Sequence, residues 1–111
     1  MSTKREHIII NPDGTTERRI VSKAESYASL SRGVDGYIET IPHLSHFEGR
    51  RCTAYCNEEG RITGMPFNAP ATKLWRTVLA LRERTLGPFD PDRAILFGPI
   101  VIDRPFKAGK D

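Results

Sequence analysis

Residues 51–72 read Arg-Cys-Thr-Ala-Tyr-Cys-Asn-Glu-Glu-Gly-Arg-Ile-Thr-Gly-Met-Pro-Phe-Asn-Ala-Pro-Ala-Thr, and no other stretch of the chain constrains its fold as much. An alternating run, a polar turn, a second extended run and a helix start follow one another without a break. In the turn, Asn57 is placed to accept from the backbone two residues on, Glu58 and Glu59 tolerate right-handed central positions, and Gly60 takes the positive φ that follows. These features predict a short hairpin loop with a glycine bulge. A second turn of the same chemistry, Asn11-Pro12-Asp13-Gly14, separates His7-Ile8-Ile9-Ile10 from Thr15-Thr16-Glu17-Arg18-Arg19-Ile20-Val21, so two hairpins are expected.

Two helices are written between and after them. Ser22-Lys23-Ala24-Glu25 is a capping-box arrangement, and the short helix over 22–32 that follows carries a narrow apolar stripe of Ala24, Tyr27, Ala28 and Leu30, with Gly33 as its left-handed stop. The longer helix begins near Asn68-Ala69-Pro70, with Thr72 as a later cap. Its apolar face is Leu74, Trp75, Val78, Leu79 and Leu81, and Gly87-Pro88 ends it. Gly36-Tyr37-Ile38-Glu39-Thr40-Ile41-Pro42 reads as a strand closed by its proline, and 43–50 as a surface connection bearing His43, His46 and Phe47. The last strand spans 94–102, broken at Gly98-Pro99.

A chain of 111 residues is one ordinary domain, and its 38% hydrophobic and 28% charged residues lie in the globular range. The expected domain is 7–102, with 1–6 and 103–111 as flexible tails. No apolar run approaches the roughly 18 residues of a membrane span, and no apolar segment follows the charges of the first six residues, so a cytosolic protein without a membrane partner is expected. Cys52 and Cys56, four apart on a strand, lie roughly 13 Å apart on one face. That is too far for a disulfide, and they read as small core-facing residues.

The expected fold is α+β: a mostly antiparallel sheet of about five or six strands, covered on one face by the main helix and flanked by the short one. Alternation puts Thr53, Tyr55 and Asn57 on the face away from the main helix, which reads as semi-polar and suited to a partner or a second copy of the chain.

The order and spacing of Gly36-Tyr37-Ile38-Glu39-Thr40-Ile41-Pro42, Asn57-Glu58-Glu59-Gly60, Gly64-Met65-Pro66-Phe67-Asn68-Ala69-Pro70-Ala71 and Phe97-Gly98-Pro99-Ile100-Val101-Ile102 resembles a family of small domains of unknown function found in phages, plasmids and bacterial mobile elements. The likeness covers roughly residues 7–102 and is most specific over 57–71. The chain departs from that pattern in a longer, histidine-bearing 43–50 linker and an extended basic helix. The resemblance implies an α+β fold and a mobile-element setting, and it carries over no reaction.

Chemistry-bearing residues are few. His43, His46, Cys52 and Cys56 are the right types for zinc, but a strand holds the cysteines too far apart for a tetrahedral centre, so no metal is expected. Glycine loops for phosphates, a nucleophile elbow and paired catalytic acids are absent from the sequence, which argues against an enzyme and for no cofactor. Glu39 is the one carboxylate embedded in a strand; with Tyr37, Tyr55 and the helix-start amide of Asn68 it forms the candidate ligand or partner site. Lys73, Arg76 and Arg84 give the helix over 73–84 a positive stripe able to meet phosphates, although a net charge of +3 is mild for a nucleic-acid binder. The primary expectation is a non-catalytic accessory protein that binds a host protein or a small regulatory ligand. The alternative is a nucleic-acid-binding module using the basic helix face.

Overall fold

Two strands from opposite ends of the chain make its centre. In the computed structural model, which describes residues 4–107, β1 (Lys4–Ile10) and β7 (Ile100–Pro105) run antiparallel, with Ile8 opposite Ile102, Ile9 opposite Val101 and Ile10 opposite Ile100. Near-continuous apolar runs of this kind are buried on both faces of a sheet, and Ile8, Ile100, Val101 and Ile102 are all fully buried. The first predicted hairpin joins β1 to β2 (Thr16–Ser22). Its turn is held by Asp13, whose Oδ1 accepts from the Thr15 amide and hydroxyl, and by Gly14 at a φ of 92°. On the other side of β7 lie β6 (Thr53–Asn57) and the edge strand β3 (Ile38–Thr40), giving an antiparallel five-stranded sheet in the order β2-β1-β7-β6-β3. The expected α+β fold is the one observed.

The helix α2 (Ala69–Leu81) covers one face, where Leu74, Trp75 and Val78 pack on Ile8, Ile10, Ala54, Ile100 and Ile102. Asn68 caps it as expected: Oδ1 accepts from the Ala71 amide at 3.0 Å. Leu81 does not join the apolar face; the helix ends there and leaves it 80% exposed, before a separate turn of helix, α3 (Glu83–Leu86).

The opposite face is not open over the sheet centre. The capping box at Ser22 and Glu25 starts a 3-10 turn over Lys23–Glu25, and α1 (Ser26–Val34) then lies against Ile9 and Val101 through Leu30 and Val34, with Ile38 and Tyr55 beside them. The buried stripe is therefore Ser29, Leu30, Gly33 and Val34, whereas Ala24, Tyr27 and Ala28 are exposed. Gly33 is not the left-handed stop, a role taken by Asp35 at φ 61°. It is the point of closest approach to the sheet: a Cβ there would stand 2.5 Å from Val101 Cγ2.

The second predicted hairpin does not form. Asn57 Oδ1 does accept from the Glu59 amide, but its Nδ2 donates to the Val34 and Asp35 carbonyls, which draws the turn toward the end of α1. The Thr63 amide then reaches Glu59 O and the Met65 amide reaches Gly60 O, so 58–64 coils and no strand follows. The positive φ falls at Gly64, not Gly60. The expected surface connection holds a small ribbon instead, β4 (His46–Phe47) and β5 (Arg50–Arg51), joined through Glu48 and Gly49, both at positive φ. Residues 94–99, expected as the first part of the last strand, make no ladder beyond an isolated bridge between Phe97 and Phe67, because Gly98 turns the chain at φ 75° before β7 begins; Leu96 still packs into the core beside Ile8, Ile10 and Ile102.

Charge fastens both faces of the central pair. On the α1 side Asp103 Oδ1 receives Arg5 Nε at 3.0 Å and His7 Nε2 at 3.1 Å, and His7 Nδ1 meets Ser29 Oγ at 2.7 Å. On the other side buried Arg104 donates to Glu6 at 2.8 Å, to Glu48 at 3.0 Å and to the Phe47 carbonyl. Residues 4–6 and 103–105, expected in the tails, are thus strand residues with ladder partners. The tail expectations for 1–3 and 108–111 lie outside the described residues.

Two outcomes follow from this packing. Gly33→Ala forces α1 off β7 and is expected to cost about 1–3 kcal/mol, read as a lowered denaturant midpoint. For Asp103, burial alone would raise the carboxyl pKa, but hydrogen bonds from His7 and Arg5 outweigh it and hold it below the ordinary 3.8. A folded-state pKa below the unfolded one means stabilisation that is complete above the unfolded value and lost as pH falls through the folded value. Asp103→Asn is therefore expected to destabilise by about 3–5 kcal/mol at pH 7, with the gap from wild type narrowing below about pH 4 in melts across pH.

Candidate functional site

Side-chain alternation places Glu39 on the same face as Cys56, its partner across the β3–β6 ladder, and both point toward the α2 side at the sheet edge. There the sheet, α2 and two loops leave a cleft of about 580 Å³. Ile41 and Leu96, both buried, form its apolar base, Trp75 is one wall, and Arg61 and Phe97 belong to the loops opposite. The walls are held in place: Trp75 Nε1 donates to the Pro42 carbonyl at 2.9 Å, and the Arg61 guanidinium lies 5.3 Å from the Phe97 ring centre while donating to Asp92 O at 3.3 Å. Gly60 packs under the Phe97 carbonyl, where a Cβ would come within 3.0 Å.

Electrostatically the cleft is mixed. Among the described residues neither Glu39 nor Arg61 has an ion-pair partner. The Glu39 carboxylate accepts a long hydrogen bond from Cys56 Sγ, 4.0 Å from Oε1. Burial, and then the Glu39 charge, push the Cys56 thiol up to about 11, so it stays protonated at neutral pH and is a poor nucleophile.

Of the four residues put forward from sequence as a ligand or partner site, Glu39 is the one in this cleft. Tyr37 precedes β3 and is 69% exposed outside it. Tyr55 packs on the α1 face, where burial and then Asp103 raise its phenol pKa. Asn68 is fully buried, with Nδ2 donating to Ile10 O and Gly98 O and Oδ1 capping α2, so its amide is engaged in the fold. The basic stripe is divided. Lys73 and Arg76 border a shallow groove beside Phe67 and Phe89, Arg76 is tied to the Ala94 and Pro91 carbonyls, and Arg84 lies on α3. His43, His46, Cys52 and Cys56 do not gather, and the described residues hold no group of three or more His, Cys, Asp or Glu placed to share a metal. Cys52 Sγ instead reaches the Leu44 carbonyl at 3.8 Å.

Sequence reasoning missed Trp75, Arg61 and Phe97 as cleft residues. Their shared location depends on the 58–64 coil, and no periodicity announces it. It also missed the Ser29–His7–Asp103 chain, whose residue types match a hydrolytic triad. That chain is closed to substrate: His7 is 0% and Ser29 1% exposed, so its hydrogen bonds hold α1 to the sheet. Among the described residues no helix is long and apolar enough to cross a membrane.

No curated protein and no solved structure matches the chain. Residues 4–103, which include the whole cleft and all of the sheet but the last two residues of β7, match a domain of unknown function, DUF3846, and the chain belongs to that family.

Proposed function

We propose that this domain is a non-catalytic binding module whose working site is the cleft between Glu39, Trp75 and Arg61, and that it takes a small ligand there. The observation that carries this reading is the combination, at one opening, of an apolar base with the Glu39 carboxylate and the Arg61 guanidinium, neither of which has an ion-pair partner among the described residues. A concave, mostly apolar site with a few convergent polar groups is the usual form of a small-molecule site, and its volume sits in the range of about 300–1,000 Å³ typical of such sites. The same enclosure favours a small regulatory ligand over a host protein, which would need a broader face. Non-catalytic action agrees with a neutral Cys56 thiol and with a Ser29–His7–Asp103 chain that faces no solvent. The setting of an accessory protein in a phage or mobile element comes from the resemblance of the 36–42 and 57–71 segments. Two free cysteines agree with a reducing cytosol.

Trp75 is the sole tryptophan of the chain and a wall of the cleft, so its emission reports entry directly. A ligand library is expected to contain compounds that shift Trp75 emission and raise the melting temperature together. A screen in which nothing moves Trp75, with native mass spectrometry showing no co-purified small molecule, would sink this reading. Alkylation gives an independent measure. At pH 8 Cys56 is expected to react with iodoacetamide on the order of a hundredfold slower than a free thiol, because so little of it is thiolate. Bound ligand is expected to slow it further, as followed by intact-mass labelling kinetics.

A further inference from the structure

We infer that the cleft is built for a planar heterocycle that presents two adjacent N–H donors at one edge and carries an anionic group, the pattern of a guanine nucleotide. This rests on the cleft being the working site and goes on to say what fills it. Glu39 supplies two acceptor oxygens and no donor, held on a strand by its pairing with Cys56. A carboxylate of that kind is complementary to a ring edge carrying an N–H next to an amino group, as in guanine, and it repels the ring nitrogen acceptor next to the amino group of adenine. The ring itself needs flat apolar surface, and Trp75 provides it from α2 across a base of Ile41 and Leu96. Base–aromatic stacking is worth roughly 1–3 kcal/mol and is indifferent to which base stacks, so selectivity must come from the edge.

Two guanidiniums line the cleft, Arg61 and Arg93; Arg93 is already paired with Asp90 at 3.7 Å, which makes Arg61 the receptor for the anionic group. Arg61 donates from one terminal nitrogen to Asp92 O, lies over Phe97, and has no carboxylate partner among the described residues, which leaves the rest of its planar fork for phosphate oxygens. Glu58, at the same opening, is the type of acceptor that takes ribose hydroxyls. Aromatic wall, acceptor-only edge and cationic fork thus meet in one space. A purely anionic ligand would leave Glu39 facing like charge, and a cationic one would leave Arg61 doing so.

Two sources share this ring edge, a guanine nucleotide and a pterin carboxylate, and one titration separates them. Trp75 emission and calorimetry are recorded with GMP, AMP, pterin-6-carboxylate, guanosine and inorganic phosphate. GMP is expected to bind at least tenfold more tightly than AMP or phosphate. A pterin carboxylate that outcompetes GMP supports the same ring recognition with the other source. Glu39→Gln, which offers one donor and one acceptor, is expected to lower GMP affinity at least tenfold and to move the preference toward AMP. Arg61→Ala is expected to weaken GMP about tenfold while leaving guanosine unchanged. AMP binding as tightly as GMP, or no response to any of these probes, overturns the inference. If other library compounds still move Trp75, the cleft reading survives that failure. Should Glu39→Gln not fold, the GMP-to-AMP ratio of the wild-type protein decides alone.

Discussion

The register between β1 and β7 is the constraint on which the rest of the structure depends, and charge sets it more than hydrophobicity does. Ile8-Ile9-Ile10 facing Ile100-Val101-Ile102 is close to degenerate: shifted by two residues, branched aliphatics would still oppose branched aliphatics. The same shift would move His7 off Asp103 on one face and Glu6 off Arg104 on the other. Each would strand a buried charge, and breaking one such pair costs about 3–5 kcal/mol. Replacing a whole ion pair with apolar residues is often neutral, so these networks contribute selection among alignments more than net stability. The described residues contain no buried polar side-chain atom without a hydrogen-bond partner, which is the condition under which buried ionic networks can be kept.

Once that pair is aligned, each face receives its helix by a different means. α2 arrives with a broad apolar face and is anchored at its start by Asn68, which bonds to the end of β1 and to Gly98 while capping its own helix. α1 has little apolar surface to offer. It reaches the sheet because Gly33 lets its backbone come close and because Ser29 satisfies His7 beneath it. One face is therefore closed mainly by burial and the other by close approach and hydrogen bonding. The ribbon of β4 and β5 covers the remaining end of the α2 face, where Glu48, at a φ of 53°, is held by Arg18 and Arg104. The Arg18 hydrogen bond is the first reason its carboxyl pKa lies below the ordinary range.

Local chemistry was legible in the sequence wherever a few adjacent residues decide the outcome. The Asn11-Pro12-Asp13-Gly14 turn, the Ser22–Glu25 capping box and the Asn68 cap each form from contacts within about one turn of chain. Features that depend on distant partners were not legible. Asn57 has the side chain of a hairpin corner, but its amide is claimed by carbonyls more than twenty residues earlier, and the expected strand after it becomes a coil. Gly33 looks like a helix stop because closeness to Val101 leaves no local mark. Of the site, Glu39 could be found because a carboxylate inside a β-branched run is unusual. Trp75 and Arg61 could not, since a leucine-rich helix gives its tryptophan to the core by default and the coil that presents Arg61 reads locally as a hairpin turn over 57–60 followed by a strand. The cleft walls share a property that suits recognition: each is fixed by a bond to backbone or by a ring contact before anything binds, so little side-chain freedom remains to be lost.

The central pair also dictates an order of assembly. Arg5 and Asp103 are separated by 98 positions, so the strand that completes the middle of the sheet leaves the ribosome long after β1 has done so. Until then the β1–β2 hairpin stands with one edge unsatisfied and three isoleucines in a row, the kind of surface that recruits other chains. Arg5, Glu6 and His7 sit beside those isoleucines in the same strand, and so the charges that later choose the register would also keep the nascent hairpin from pairing with its neighbours on a polysome.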